Sequence, residues 1–184
     1  MLATVAPQRA AALLREEHDA VRRLIDELDA EEMTRPDTVH HGFYADQHCS
    51  FKDLLAHLIT YEALSLEALQ AWQRGEAHPV NDVMRSPARS RELHYGGIEA
   101  RRGHSLEQVI AEWERCQAAL VAAIDALGEE EWRSAPPWPT SEAQDLGGTL
   151  QEILVTPPRP LYRHLPVHVP DSAAYIRSLR RGPR

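Results

Sequence analysis

The sequence predicts an all-α fold, an antiparallel four-helix bundle with a crossover segment and a kinked last helix. Three observations point there. Long apolar stripes return at helical spacing. Two of these stripes open on a serine followed three residues later by a carboxyl or amide side chain, the pattern of a capping box. No alternating strand pattern and no internal repeat competes with them. At 184 residues the chain fits one domain, 1–184, because a single core commonly serves roughly 100–200 residues.

From Gln8 to Glu31 the residues Leu14, Val21, Leu24, Ile25 and Leu28 share one face and predict a first helix. The stretch that follows, MTRPDTVHHGFYADQHC, interrupts the period with a proline and a glycine and reads as a loop. Ser50 with Asp53 opens a second helix from Phe51 to Arg74, with Leu54, Leu58, Tyr61, Leu64 and Leu69 inward and Gly75 as its stop. Residues 76–104 mix prolines with Gly96 and Gly97, which predicts a crossover holding one short helix.

Ser105 with Gln108 opens a third helix whose stripe, Val109, Ile110, Trp113, Cys116, Leu120, Ile124 and Leu127, runs to Gly128. Residues 129–148 predict a structured loop that packs aromatics such as Trp132 and Trp138 over a bundle end, and Thr149 with Glu152 marks a fourth start. Prolines 157, 158, 160, 166 and 170 then forbid a continuous helix. Helical turns from Pro160 through His168, kinked at Pro166, and a last helix from Asp171 or Ser172 to Arg180 are expected.

Composition narrows the function. With 43% hydrophobic and 26% charged residues the chain is neither disordered nor membranous. No apolar run approaches the ~20 residues of a membrane helix, and the opening MLATVAPQRAA lacks the layout of a secretion signal, so a cytoplasmic location is expected. Cys49 and Cys116 are too few for a disulfide framework and read as buried small hydrophobes, with a reactive thiol as the alternative. The net charge of −8 predicts no nucleic-acid partner, since phosphate recognition needs a basic stripe. The basic cluster Arg177, Arg180, Arg181 and Arg184 reads as a solvated helix end.

Three of the ten histidines carry chemistry by position. His57 lies on the inward stripe of the second helix. His164 and His168 stand four apart, which on a helix puts both imidazoles on one face within reach of one ion. Imidazole suits zinc, nickel, iron or copper, and three protein nitrogens with an open position make a catalytic layout. The plainer reading keeps His57 as a hydrogen-bonded core residue and the pair as coincidence, with Pro166 turning one ring away.

Around these stand secondary candidates. Glu62 is a general acid or base if it lines a cavity, and otherwise a solvated charge. His18 faces the axis as a pocket residue or as a satisfied core histidine. Tyr61 and Tyr162 lie within a turn of candidate ligands or serve as packing. His40, His41, His48, His78, His94 and His104 read as exposed loop residues, the first three at a cavity rim. Gly147 and Gly148 before Thr149 offer free amides to an anion, a weak signal alone.

The string SFKDLLAHLITYEALSLEAL resembles the second helix of the DinB/YfiT-like superfamily, in which a histidine in a DLLAHL context is the first metal ligand. EARRGHSLEQVIAEWERCQAALVAAIDALGEEEW and PLYRHLPVHVPDSAAYI are similar to the third and last helices of its ClbS/DfsB-like branch. The resemblance implies a DinB-like bundle with His57, His164 and His168 as the ligand triad, although prolines are unusual around the last two. It also implies small-molecule enzymes of detoxification or self-resistance. In these a divalent metal, zinc or nickel foremost, activates water or a low-molecular-weight thiol against an electrophile, as a hydrolase or a transferase. The expected partner is a small-molecule substrate. A non-catalytic sequestration protein and a helper that forms a homodimer through its helices are the alternatives.

Overall fold

The computed structural model describes residues 4–39, 46–79, 82–83, 86–136 and 145–154. Among them the chain is helical, with one isolated bridge, Val39 to Cys49, closing the loop before the central helix.

Helix α1 spans Pro7–Asp26, opening with proline at its first position, where the missing amide costs nothing. It ends earlier than the apolar stripe suggests. Asp29 accepts the amide of Glu32 at 2.8 Å while the Glu32 carboxylate accepts that of Asp29 at 3.0 Å. This capping box restarts the chain as α2, Ala30–Thr34, so the single helix to Glu31 becomes two.

Helix α3, Phe51–Gln73, is the centre of the bundle, and every residue from Leu54 to Tyr61 is buried. Its capping box is the one the sequence predicts, with the Asp53 carboxylate accepting the Ser50 amide at 2.8 Å. At the other end Gly75 adopts φ 73°, and Glu76 donates to the Ala71 carbonyl and Gly75 to that of Trp72, both at 2.9 Å. The pair of bonds satisfies two orphan carbonyls, and it requires a left-handed residue that only glycine supplies cheaply.

The crossover holds a 14-residue helix, α4, Pro87–Ala100, rather than a short one, with Gly96 and Gly97 inside it. Packing explains the glycines. A Cβ on Gly97 would stand 1.9 Å from Thr60 Oγ1, so the residue exists to let α4 approach α3. Arg101 fastens the contact, donating to the Gly97 carbonyl at 2.9 Å and to Glu112 of the next helix at 2.7 Å.

Helix α5, Leu106–Asp125, begins at the predicted Ser105–Gln108 capping box and packs on both α1 and α3. Pairing of Arg15 with Asp125 and of Arg22 with Glu114 sets α1 and α5 antiparallel. The expected loop at 129–148 begins with a short α6, Glu129–Trp132, whose fully buried indole donates to the Val5 carbonyl at 2.7 Å. Helix α7, Leu146–Leu154, starts before Thr149 because the Asp145 carboxylate takes the Gly148 amide at 2.7 Å. That bond occupies an amide the sequence offered to an anion. The expectations for residues 155–184, including the kink at Pro166 and the last helix, lie outside the described residues.

Among the described residues two large apolar cores result, with a small third of Cys49, Ala56 and Ile98. One gathers Trp132, Leu146, Leu150, Leu120 and Trp72, and the other Phe51, Leu54, Val109, Trp113 and Met33. Helices α1, α3 and α5 run through both, and the candidate site lies among them.

Candidate functional site

A narrow cleft opens among α1, α3, α5 and the end of α7. It has room for an ordered water given polar partners. Leu14, Val21, Leu58 and Leu154 make its apolar wall, and Glu17, His18, Tyr61, Glu62 and Trp113 supply its chemistry.

Glu62 is the least conventional group. It follows Leu58 by one helical turn, so the register that buries the leucine also turns the carboxylate inward, and the solvated-charge reading fails. Its Oε2 is sealed from solvent with no hydrogen-bond partner among the described residues. Loss of hydration penalises the charged form and pushes the acid up to about 8, so it is protonated at neutral pH.

His18 stacks on Trp113, ring centres 4.1 Å apart and planes 24° from parallel. Its Nε2 is buried and likewise has no partner among the described residues. Burial holds the imidazole below its usual range, against the opposing pull of Asp19 and Glu114, so it is neutral at pH 7. Tyr61 lines the same cleft and meets the His57 ring edge-on at 4.9 Å. The sequence placed His18, Tyr61 and Glu62 as candidates separately, and the fold brings the three together.

His57 is inward as predicted, 3% exposed. Its neighbour was not predicted. His94, expected in an exposed loop, is on α4, equally buried, with its ring centre 4.4 Å from that of His57. Its Nε2 lies 3.2 Å from Gln47 Oε1. Burial, helped by the nearby Arg91 cation, pushes its pKa down to about 4. The usable signal was the spacing of His94 and Ile98 on one helical face, hidden by the two glycines between them.

His78 is half-buried beside Glu67, whereas His48 and His104 are exposed as expected. His40, His41, Tyr162, His164 and His168 lie outside the described residues. Two members of the three-histidine set are therefore not placed, and among the described residues no three metal-binding side chains converge. Both thiols behave as apolar groups, since burial pushes Cys49 and Cys116 up to about 12 and keeps them protonated. Among the described residues no helix is long and apolar enough to cross a membrane.

No curated protein matches the chain in sequence. Solved structures share its fold at low identity. The colibactin self-resistance protein ClbS, solved in complex with double-stranded DNA, superposes with a TM-score of 0.71 at 12% identity over 100% of both chains. An uncharacterised protein from Escherichia coli UTI89 gives 0.64 at 12% identity, covering 96% of this chain and 91% of that one. A protein from Streptococcus pneumoniae gives 0.65 at 14%, covering 97% and 92%. The ClbS complex corrects the expectation that net acidity rules out a nucleic-acid partner. Net charge averages over the whole surface, whereas phosphate contacts need only a local group of donors. The sequence profile described as the DinB superfamily matches residues 44–155, which is more than half of the chain and includes α3 to α7, and the chain therefore belongs to the DinB superfamily.

Proposed function

We propose that this protein is a small-molecule enzyme of the self-resistance or detoxification kind, in which Glu62 acts as a buried general acid on a strained or otherwise reactive electrophile. The observation that carries the reading is Glu62 Oε2, sealed from solvent in a cleft that also holds His18 Nε2, neither atom having a hydrogen-bond partner among the described residues. A stable fold keeps such a group only at a cost, and perturbed acids in clefts mark functional sites. The colibactin self-resistance role of ClbS, which shares the fold, supports the same class.

With the cleft widened to admit the electrophile, the Glu62 proton goes to the ring heteroatom as the carbon–heteroatom bond breaks, its electron pair staying on the heteroatom. A cleft water attacks the carbon and yields its proton to neutral His18 Nε2, which returns it to the Glu62 carboxylate. The Trp113 face fixes the imidazole plane, and the aliphatic wall keeps bulk water from levelling the raised acidity of Glu62.

A divalent zinc or nickel, as the family resemblance implies, would be held by His57, a buried imidazole of α3, together with His164 and His168. Bound there, it would supply Lewis-acid activation of water or of a small thiol.

A panel of epoxides and aziridines, offered in water alone and with glutathione, tests the proposal. Glu62→Gln should lower turnover by roughly 10²–10⁴-fold, the usual yield of a positioned acid. Consumption equal to that of the buffer blank in wild type, with saturable stoichiometric binding, would replace catalysis by sequestration.

A further inference from the structure

We propose that Arg22 is a positioning residue for His18: by taking the Glu114 carboxylate across the seam between α1 and α5, it denies the imidazole an anionic partner and leaves it a base. The inference rests on the reading of His18 as the proton acceptor, and it adds Arg22 and Glu114, which neither the sequence reading nor the comparisons assign.

The seam is a short ladder between antiparallel helices. Its middle rung is the His18 ring lying on that of Trp113, centres 4.1 Å apart. One turn earlier on α1 the Leu14 carbonyl accepts from the side-chain amide of Gln117, one turn beyond Trp113, at 3.4 Å. One turn later on α1 Arg22 Nη1 donates to Oε1 of Glu114, the residue next to Trp113, at 2.6 Å. Arg22 shares the face of α1 that carries His18 because four residues make about one turn. Its Nε also meets Asp26 at 3.3 Å, a second contact that fixes the guanidinium at the seam.

Charge gives this arrangement its consequence. On its own helix His18 has Asp19 and Arg22 for neighbours, and Glu17 lines the same cleft. Helix α5 brings Glu114, α3 brings Tyr61 and Glu62, and α7 brings the apolar Leu154. Glu62 keeps its proton at neutral pH and so carries no charge. Burial is the largest influence on the imidazole and disfavours the cation, Asp19 and Glu114 favour it, and Arg22 opposes those two. Arg22 thus acts twice, through its own charge and by occupying Glu114. A released Glu114 carboxylate beside the stack would be the natural partner of an imidazolium, and an imidazolium cannot accept the proton that an attacking water gives up.

The size of the effect follows from exposure. The side chains of Arg22 and Glu114 are 43% and 45% exposed, so water and salt screen the pair. A charge in that setting moves a neighbour's titration by roughly half a pH unit, about threefold in proton affinity.

The test is a proton–carbon NMR titration of the His18 ring in the full chain, with His18→Gln identifying its resonance. Arg22→Gln should raise the His18 midpoint by roughly half a pH unit, and Glu114→Gln should lower it by a similar amount. The double variant should fall between the two, and Arg22→Lys, which keeps the cation, should restore the wild-type midpoint. In turnover assays the acid limb of kcat/KM should move with the midpoint while the limb near 8 stays in place. A pair that only fastened α1 to α5 would change the melting temperature and leave the midpoint unmoved. A midpoint unchanged in both single variants, or one that shifts as far in Arg22→Lys as in Arg22→Gln, would overturn the proposal. If Arg22→Gln does not fold, Glu114→Gln decides, since a His18 midpoint that fails to drop refutes the role of that carboxylate. The titration needs no substrate. Midpoints that move as expected in a protein that consumes no electrophile would remove the proposed reaction and leave the control of His18 standing, whereas turnover with unmoved midpoints would do the reverse.

Discussion

Replacing Glu62 by glutamine should make the protein more stable, and increasingly so as the pH rises. The carboxyl is pushed from 4.5 to about 8 in the folded chain by burial, a shift worth on the order of 4–5 kcal/mol at ~1.4 kcal/mol per unit. The sign follows from proton counting. Between pH 4.5 and about 8 the folded state holds a proton on Glu62 that the unfolded chain releases, so stability falls with rising pH across that window. Below it the acid is neutral in both states and the contribution is complete; above about 8 it is lost. Glutamine has nearly the same shape and does not titrate. The stability difference between Glu62→Gln and wild type should therefore be small at pH 5 and grow by about 4 kcal/mol by pH 9. Urea unfolding of both proteins at pH 5, 7 and 9 measures it, provided the denaturant slope is unchanged. A difference that stays flat across that range would mean that Glu62 titrates as a solvated carboxylate, and the general-acid role would go with it.

Three other outcomes follow from the same geometry. In any turnover assay the pH profile should fall through a midpoint near 8 as Glu62 ionises and fall again on the acid side below the ordinary histidine range as His18 protonates; a profile flat from pH 6 to 9 would contradict the assignment of these two groups. Gly97→Ala should destabilise by about 1–3 kcal/mol through overpacking, and Thr60→Ala should recover part of the loss because Thr60 Oγ1 and Cγ2 are the nearest atoms a new Cβ would meet; strictly additive effects in chemical denaturation would show that the two residues are not in contact. Gly75→Ala should cost about 1–2 kcal/mol, the strain of a left-handed non-glycine residue, and an unchanged melting temperature would deny the helix end its φ of 73°.

The sequence by itself determined whatever is decided within one or two helical turns. The capping boxes at Ser50 and Ser105 are i to i+3 exchanges between a side chain and nearby amides, so the residues that make them are adjacent in the string and the helix starts are legible. The apolar stripes likewise follow from a fixed rotation per residue, and they place His57 on the buried face of α3. The box at Asp29 is equally local, but the leucine stripe runs up to it and masks the break.

Only the tertiary structure decided which polar groups lose their water. Glu62 could be a surface charge or a buried acid on the same helix, and the choice is made by α1 and α5, which set His18 and Trp113 in the same cleft. Gly96 and Gly97 read as a break because glycine disfavours an isolated helix. They stand inside one because the closeness of α4 to Thr60, 37 positions earlier in the chain, excludes any side chain at Gly97. His94 was lost with them. Its burial, its low pKa and its meeting with His57 are properties of a contact between two helices, and a contact between distant segments has no period for a sequence to display.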